Sequence, residues 1–345
     1  MEKRTIKVLV VDDSLVFRET FARKLSEDPY IEIIGKAGDV YEARDMIINF
    51  QPDVVTLDVE MPKMNGIDFL KRLMPQYPLP VIVVSAVSEK VFDALNAGAV
   101  DYVTKPGLNT KLDSFINDLI IKIKIAATAK VGNNRRIIKK SGTVAKSARS
   151  FRDSVIAIGA STGGTNALYD IIKVLPKHIP GIVIVQHMPP VFTKLYAERL
   201  DSNSNLEVKE AENGDEILPG RVIIAPGGFH MSVRKTNSGL FIETEKGTEF
   251  NKVNGHCPSV DVLFHSVAQQ LGKNAIGVIL TGMGRDGADG LLNMRKAGAR
   301  TFGQNEESSI VYGMPKVAFE IGAVEKQYSL QQLPEVILET INEND

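Results

Sequence analysis

The chain has 345 residues, 43% of them hydrophobic and 24% charged, and a formal net charge of −1. That length suits two domains, each long enough to bury its own core. The single cysteine, Cys257, excludes an intramolecular disulfide and a cysteine-based zinc cluster. No apolar run reaches the roughly 18 residues of a membrane span, so the expected setting is the cytoplasm, with no membrane insertion.

The opening segment, MEKRTIKVLVVDD, reads as a buried strand rather than a signal peptide. Short β-branched runs then predict strands at Ile6–Val11, Ile31–Gly35, Val54–Leu57, Val81–Val84 and Asp101–Thr104. Helical spacing fills the gaps, as with Phe17, Phe21 and Leu25. Continuous apolar strands imply a parallel sheet covered on both faces, so residues 1–125 are expected to be a five-stranded parallel α/β domain.

Residues 126–150 carry no sustained period and are read as a basic linker. Ten Lys or Arg and no acidic residue lie between Lys122 and Arg152, whereas the chain from Arg152 onward holds 18 basic and 23 acidic residues. A basic connector between mildly acidic bodies is not the basic face of a DNA-binding domain, so no nucleic-acid partner is expected.

The alternation restarts at Ser154, and residues 151–345 are expected to form a second doubly wound, mostly parallel α/β domain. Its predicted strands are Val155–Ile158, Ile182–Gln186 and Ile276–Leu280, with helices over Thr165–Leu175, Val191–Leu200 and Asp286–Ala297. A helix with a stripe of Val260, Leu263, Phe264, Val267 and Leu271 precedes the third strand, and His230–Arg234 with Gly239–Glu243 suggest a hairpin.

Five polar positions in the first domain fall where strands end: Asp12 and Asp13, Asp58, Ser85 and Lys105. Open parallel sheets bind ligands at the carboxyl ends of their strands. Three converging carboxylates call for a hard divalent cation, and a lysine with a hydroxyl suits phosphoryl oxygens. The segments VLVVDDS, DVVTLDVEMPKMNG, VIVVSA and DYVTKP resemble those of response-regulator receiver domains. The resemblance implies a flavodoxin-like fold for residues 1–125, with Asp58 the phosphoacceptor for a histidine kinase. It also implies that Asp12, Asp13, Asp58 and the backbone carbonyl of Glu60 attend Mg²⁺, and that Ser85, Tyr102 and Lys105 are switch residues. The Lys105–Pro106 bond is then expected to be cis.

In the second domain, Gly159-Ala160-Ser161-Thr162-Gly163-Gly164 lies between a strand and a helix. It satisfies G-x-S-x-G, which presents a serine at a sheet edge; a glycine-rich turn of this kind also suits phosphate. Of five histidines, His178 and His265 read as solvated and His230 and His256 as structural, while His187 directly follows a strand at the same edge as Ser161. Asp286, after the third strand, suits an acid that orients His187, and equally a helix N-cap.

The order Ser161, His187, Asp286 differs from the Ser, acid, His order of α/β-hydrolases. The segments IGASTGG, QHMP, APGG, PSVD and TGMGRDG instead resemble the chemotaxis-receptor protein-glutamate methylesterases, the CheB family. The resemblance implies a catalytic Ser161–His187–Asp286 triad, an oxyanion site near Met283 and Thr162, and no cofactor for the ester chemistry. Methyl-accepting chemotaxis receptors are the implied substrate, with glutamine deamidation as a companion activity. A monomer is expected, and domain order suggests that the receiver limits access to the cleft. One departure stands out: Cys257 occupies the place before PSVD where the family pattern leads one to expect arginine.

A DNA-binding output is disfavoured by the acidic 195-residue remainder from Phe151. A nucleotide-binding module lacks G-x-G-x-x-G and a P-loop lysine. A non-catalytic docking homologue is the remaining alternative, distinguishable by turnover.

Overall fold

The computed structural model describes residues 5–86, 88–106, 112–132 and 151–343. The chain divides near residue 134 into two compact units. Most of the 126–150 segment lies outside the described residues.

The first unit alternates β1 (Ile6–Val11), α1 (Leu15–Leu25), β2 (Ile31–Ala37), α2 (Val40–Phe50), β3 (Val54–Asp58), α3 (Gly66–Leu73), β4 (Val81–Ser85), α4 (Ser88–Asn96), β5 (Asp101–Thr104) and α5 (Leu112–Ala126). Its five-stranded sheet has the order β2-β1-β3-β4-β5, with every neighbouring pair parallel. All five residues of both β3 and β4 are buried, because helices cover both faces and leave no alternation for solvent. Polar side chains start the helices: Ser14, Asp39 and Asn65 each accept a hydrogen bond from the first turn of α1, α2 and α3.

The second unit runs β6 (Val155–Ala160), α6 (Gly164–Ile172), β7 (Gly181–Gln186), α7 (Phe192–Asn203), β8 (Glu207–Glu210), β9 (Arg221–Ile224), β10 (Phe229–Thr236) and β11 (Gly239–Lys246). It continues with α8 (Val260–Leu271), β12 (Ala275–Ile279), α9 (Ala288–Lys296), β13 (Arg300–Gln304), α10 (Met314–Glu320), β14 (Lys326–Tyr328) and α11 (Leu333–Glu343). Seven strands form one sheet in the order β14-β13-β12-β6-β7-β9-β8, parallel throughout. β10 and β11 form the expected hairpin, longer at both ends, with Phe229 opposite Lys246 and Thr236 opposite Gly239.

The apolar stripe of α8 is buried as its spacing requires: Val260, Leu263, Phe264, Val267 and Leu271 join one core with Val155 and Ala157 of β6, Met231 and Val233 of β10, and Leu291 and Met294 of α9. Strand order then places a crevice. β6 sits centrally, its successor β7 lies on one side, and β12 lies on the other. The direction of winding therefore switches at β6, which opens a crevice at the carboxyl ends of these three strands.

Two expectations change. Among the described residues the only cis peptide bond is Cys257–Pro258, so Lys105–Pro106 is trans, the isomer that X–Pro bonds favour by about 0.5–1 kcal/mol without tertiary constraint. Asp286 does not start the helix after it. α9 begins at Ala288 with Gly287 as its cap at φ 90°, a left-handed backbone that suits glycine.

Candidate functional site

At the carboxyl edge of the first sheet, Lys105 lies between two buried aspartates. Its Nζ is 2.6 Å from Asp58 Oδ2 and 2.9 Å from Asp12 Oδ2. Asp58 Oδ1 accepts from the Glu60 N–H, and Asp12 Oδ1 from the Ser14 N–H. Burial pushes the Asp58 carboxyl up and the nearby charge of Asp12 adds to it, outweighing Lys105. Burial alone would depress the Lys105 ammonium, but its bonds to Asp58 and Asp12 dominate and raise it.

Asp13 joins Asp12 and Asp58 in a cluster whose ligand oxygens all lie within 4.8 Å of one another. Three carboxylates against one ammonium leave surplus negative charge, and all-oxygen donors suit a hard cation such as Mg²⁺. The donor set and its unrelieved charge thus fit the implied ion. Ser85 is buried at the end of β4 and its carbonyl accepts from the Lys105 N–H at 2.9 Å. Tyr102 is buried on β5, with Lys122 Nζ 5.0 Å from its ring centre.

At the crevice of the second sheet, Ser161 follows β6, His187 follows β7, and the turn after β12 delivers Asp286. Hydrogen bonds tie the three turns together. The Ser161 N–H donates to Thr281 O at 3.0 Å, and the His187 N–H to Ala160 O at 3.1 Å. Gln186 Nε2 donates to the carbonyls of both Ser161 and His187. Gly282 is forced by proximity: a Cβ there would lie 2.7 Å from Ser161 Cβ and would also strike Met314 Sδ.

His187 Nε2 is 2.7 Å from Asp286 Oδ2. Asp286 is an acceptor, so Nε2 carries the proton and Nδ1 has the free lone pair. Nδ1 is buried and, among the described residues, makes no hydrogen bond, to Ser161 or to any other group. This reverses the more familiar use of the two ring nitrogens, in which the acid holds Nδ1. Catalytic hydrogen bonds in a resting site often close only when substrate is present.

Asp286 is almost fully buried, with 1% of its surface exposed. Its carboxylate also accepts from Ser259 Oγ, the Val260 and Asp261 N–H groups and Asn254 Nδ2. Burial opposes ionisation, but the bond and charge of His187, with Ser259 and Val260 behind them, outweigh it. The carboxyl is held well below the usual range. Two of these donors are the first N–H groups of α8, whose dipole favours the anion. Asn254 reaches on to Asp261 Oδ2 at 2.7 Å, and Asp261 Oδ1 accepts from the Gly290 N–H.

Of the other histidines, His178 is exposed, His265 Nδ1 bonds Asn293, and the buried His230 holds Asn251 O. His256 stacks face to face on His187, ring centres 3.8 Å apart and planes 11° from parallel. Thr162 is buried and its carbonyl accepts from Thr281 Oγ1, while Met283 stands 44% exposed on the adjoining turn. Burial raises the Cys257 thiol, which disfavours the reactive thiolate, and the ring of His256 is engaged with His187 instead.

Gln186, Asn254, His256 and Ser259 belong to the site, yet sequence reasoning alone misses them. Ser259 reads as an ordinary N-cap ahead of an apolar run, a role it also fills. Gln186 lies in the QHMP segment and His256 reads as a structural histidine, with nothing local to mark either as a support, and Asn254 carries no signature.

Residues 156–337 match the CheB methylesterase family and residues 8–117 the response regulator receiver domain. A protein-glutamate methylesterase/protein-glutamine glutaminase 2 of Syntrophomonas wolfei is 57% identical, over 99% of this chain and 100% of that one. A protein-glutamate methylesterase/protein-glutamine glutaminase 1 of Caulobacter vibrioides is 49% identical over 97% of each chain. The crystal structure of the Thermotoga maritima CheB methylesterase catalytic domain is 41% identical with a TM-score of 0.51, covering 54% of this chain and 97% of that one.

Proposed function

The chain belongs to the CheB methylesterase family, with a receiver domain ahead of the catalytic region, and from that premise we propose how it works. It is a phosphorylation-regulated serine hydrolase that removes methyl esters from glutamates, and amide nitrogen from glutamines, on chemotaxis receptors. The observation that carries the mechanism is the His187 Nε2–Asp286 bond, because it leaves a basic Nδ1 at the edge where Ser161 stands.

Ser161 Oγ attacks the γ-carbonyl carbon of a receptor side chain and its proton passes to His187 Nδ1. Asp286 stabilises the imidazolium through Nε2 without taking the proton. N–H groups around Met283 and Thr162 receive the oxyanion, where a single donor is worth about 10²–10³ in rate. Nδ1 then returns the proton to the leaving methanol, or to ammonia from a glutamine. Water, deprotonated at the same nitrogen, cleaves the acyl-enzyme and restores Ser161.

In the receiver, Asp58 accepts the phosphoryl group from a histidine kinase, and Lys105 and Ser85 hold its oxygens. Asp12, Asp13, Asp58 and the Glu60 carbonyl would hold Mg²⁺, which neutralises charge during phosphoryl transfer. Tyr102 takes part in the switch. The proposed division is a receiver at 1–125, a linker at 126–150 and a methylesterase at 151–345. The proposed setting is the cytoplasm, with the chain acting as a monomer. Among the described residues no helix is long and apolar enough to cross a membrane.

The test is methanol release from membranes bearing methylated receptors, with and without a small-molecule phosphodonor. Release that rises with the donor and disappears in Ser161→Ala is expected. Release that persists in Ser161→Ala would remove Ser161 as nucleophile, and none from the wild type would favour a docking role.

A further inference from the structure

One hydrogen bond leaves an imidazole free to tilt about the line joining donor and acceptor. The bond from His187 Nε2 to Asp286 fixes one edge of the ring and leaves its plane open. What fixes the plane is His256, lying flat on the ring at 3.8 Å and 11°. With edge and face both held, Nδ1 has a single direction to point.

We propose that His256 is a positioning residue for the esterase: its ring clamps the plane of His187 and so aims Nδ1 at the Ser161 hydroxyl. The inference rests on the reading of His187 as the general base. It does not make His256 an acid or a base: what it uses is the flat contact between the two rings.

The segment that carries His256 is built for holding. Its N–H and carbonyl pair with those of Val253 at 2.9 and 3.2 Å. Three residues later Ser259 Oγ binds Asp286 at 2.7 Å, and Asn254 reaches Asp286 from the other side of His256 in sequence. The stretch from Asn254 to Asp261 therefore grips the acid by its oxygens and the base by its face.

The charge state suits this role. Burial, and the proximity of His187, push the His256 imidazole down to about 4; Asp286 pulls the other way and Lys252 adds to the depression. Among the described residues, these three are the charged or titratable groups that act on it. At neutral pH the stacked ring is uncharged and does not repel the imidazolium that forms on His187. The π face of an aromatic ring attracts a cation.

The test uses the full chain with phosphodonor and methylated receptor membranes, comparing wild type, His256→Ala and His256→Phe. His256→Ala is expected to lower kcat about 10- to 100-fold with little change in KM, in keeping with the cost of misplacing a reacting group. His256→Phe keeps a flat ring without nitrogens and is expected to recover most of the rate, with the wild-type pH profile. The ¹⁵N shifts of His187 should report one Nε2–H tautomer in wild type and Phe, and a mixture in Ala. Unchanged kcat in His256→Ala would overturn the proposal. So would a His256→Phe variant, folded by circular dichroism, that is as slow as Ala, since that requires a nitrogen. Ser161→Ala run alongside keeps the two claims apart, because surviving methanol release there removes the esterase reading itself.

Discussion

Asp286 accepts a hydrogen bond from the Val260 N–H at 2.7 Å, so the acid sits at the start of a helix that precedes it by 26 residues rather than the one after it. The first turn of α8 presents unpaired N–H groups to anything nearby. The anion fills that need, and the helix in turn keeps the anion charged. Orientation of His187 is thereby coupled to the placement of α8.

Asp286→Asn tests the use of the two ring nitrogens. A carboxamide can donate to Nε2, which would leave the proton on Nδ1 and remove the lone pair that the proposed attack by Ser161 needs. The rate is expected to fall about 10³–10⁴-fold and not to recover at high pH. Retained circular dichroism with methanol release measured from about pH 6 to 9 checks this.

Gly282→Ala probes the tightness of the serine turn. The added carbon would meet Met314 Sδ and lie 2.7 Å from Ser161 Cβ and 3.1 Å from Ser161 N. Overpacking costs about 1–3 kcal/mol, and Ser161 must shift. At least a tenfold loss in kcat is expected, with a lower unfolding midpoint. Full activity would mean that the turn gives way elsewhere.

His256 also sets a pH dependence of stability. Its native value of about 4 lies below the ordinary histidine value of 6.5, so the unfolded chain binds more protons between those limits. Its contribution is complete above about pH 6.5, declines as pH falls toward about 4 and falls no further below that. The loss of stability between about pH 7 and 4.5 is therefore expected to be smaller in His256→Phe than in wild type, by urea midpoints followed with circular dichroism. Equal slopes would place the titration elsewhere.

Magnesium ion should stabilise the receiver through its carboxylates. Native-state binding at about 100 times Kd adds about 2.7 kcal/mol. A rise in unfolding temperature with MgCl₂ is expected in wild type, and most of it should vanish in Asp13→Asn. A rise that persists in that variant would point to other ligands.

Much of this architecture is legible in the sequence because apolar runs and helical stripes are local. The parallel order of β1 to β5, and the strands carrying Ser161 and His187, follow from runs of β-branched residues ended by glycine or a polar group. The last quarter is harder. β13, with Gly303 and Gln304, and the three-residue β14 are too short or too polar to stand out: β13 becomes a strand against β12, and β14 against β13. The supports of the candidate triad are hidden for a different reason. Asn254, His256 and Ser259 are ordinary loop and cap residues until the chain folds back on itself. Asp286 shows the ambiguity well: in the sequence it suits an orienting acid and a helix cap equally, and only its tertiary contacts with His187 and Val260 separate the two.

The 99 positions that separate His187 from Asp286 set a timetable. A nascent chain that has emerged only through β11 holds the serine and the base but neither the acid nor the α8 turn that steadies it. With the proposed triad, catalytic competence is expected only after β12 has docked beside β6, late in synthesis and late in refolding, since contacts of long sequence separation form slowly. Esterase activity should lag behind helical signal when the denatured chain is diluted into buffer.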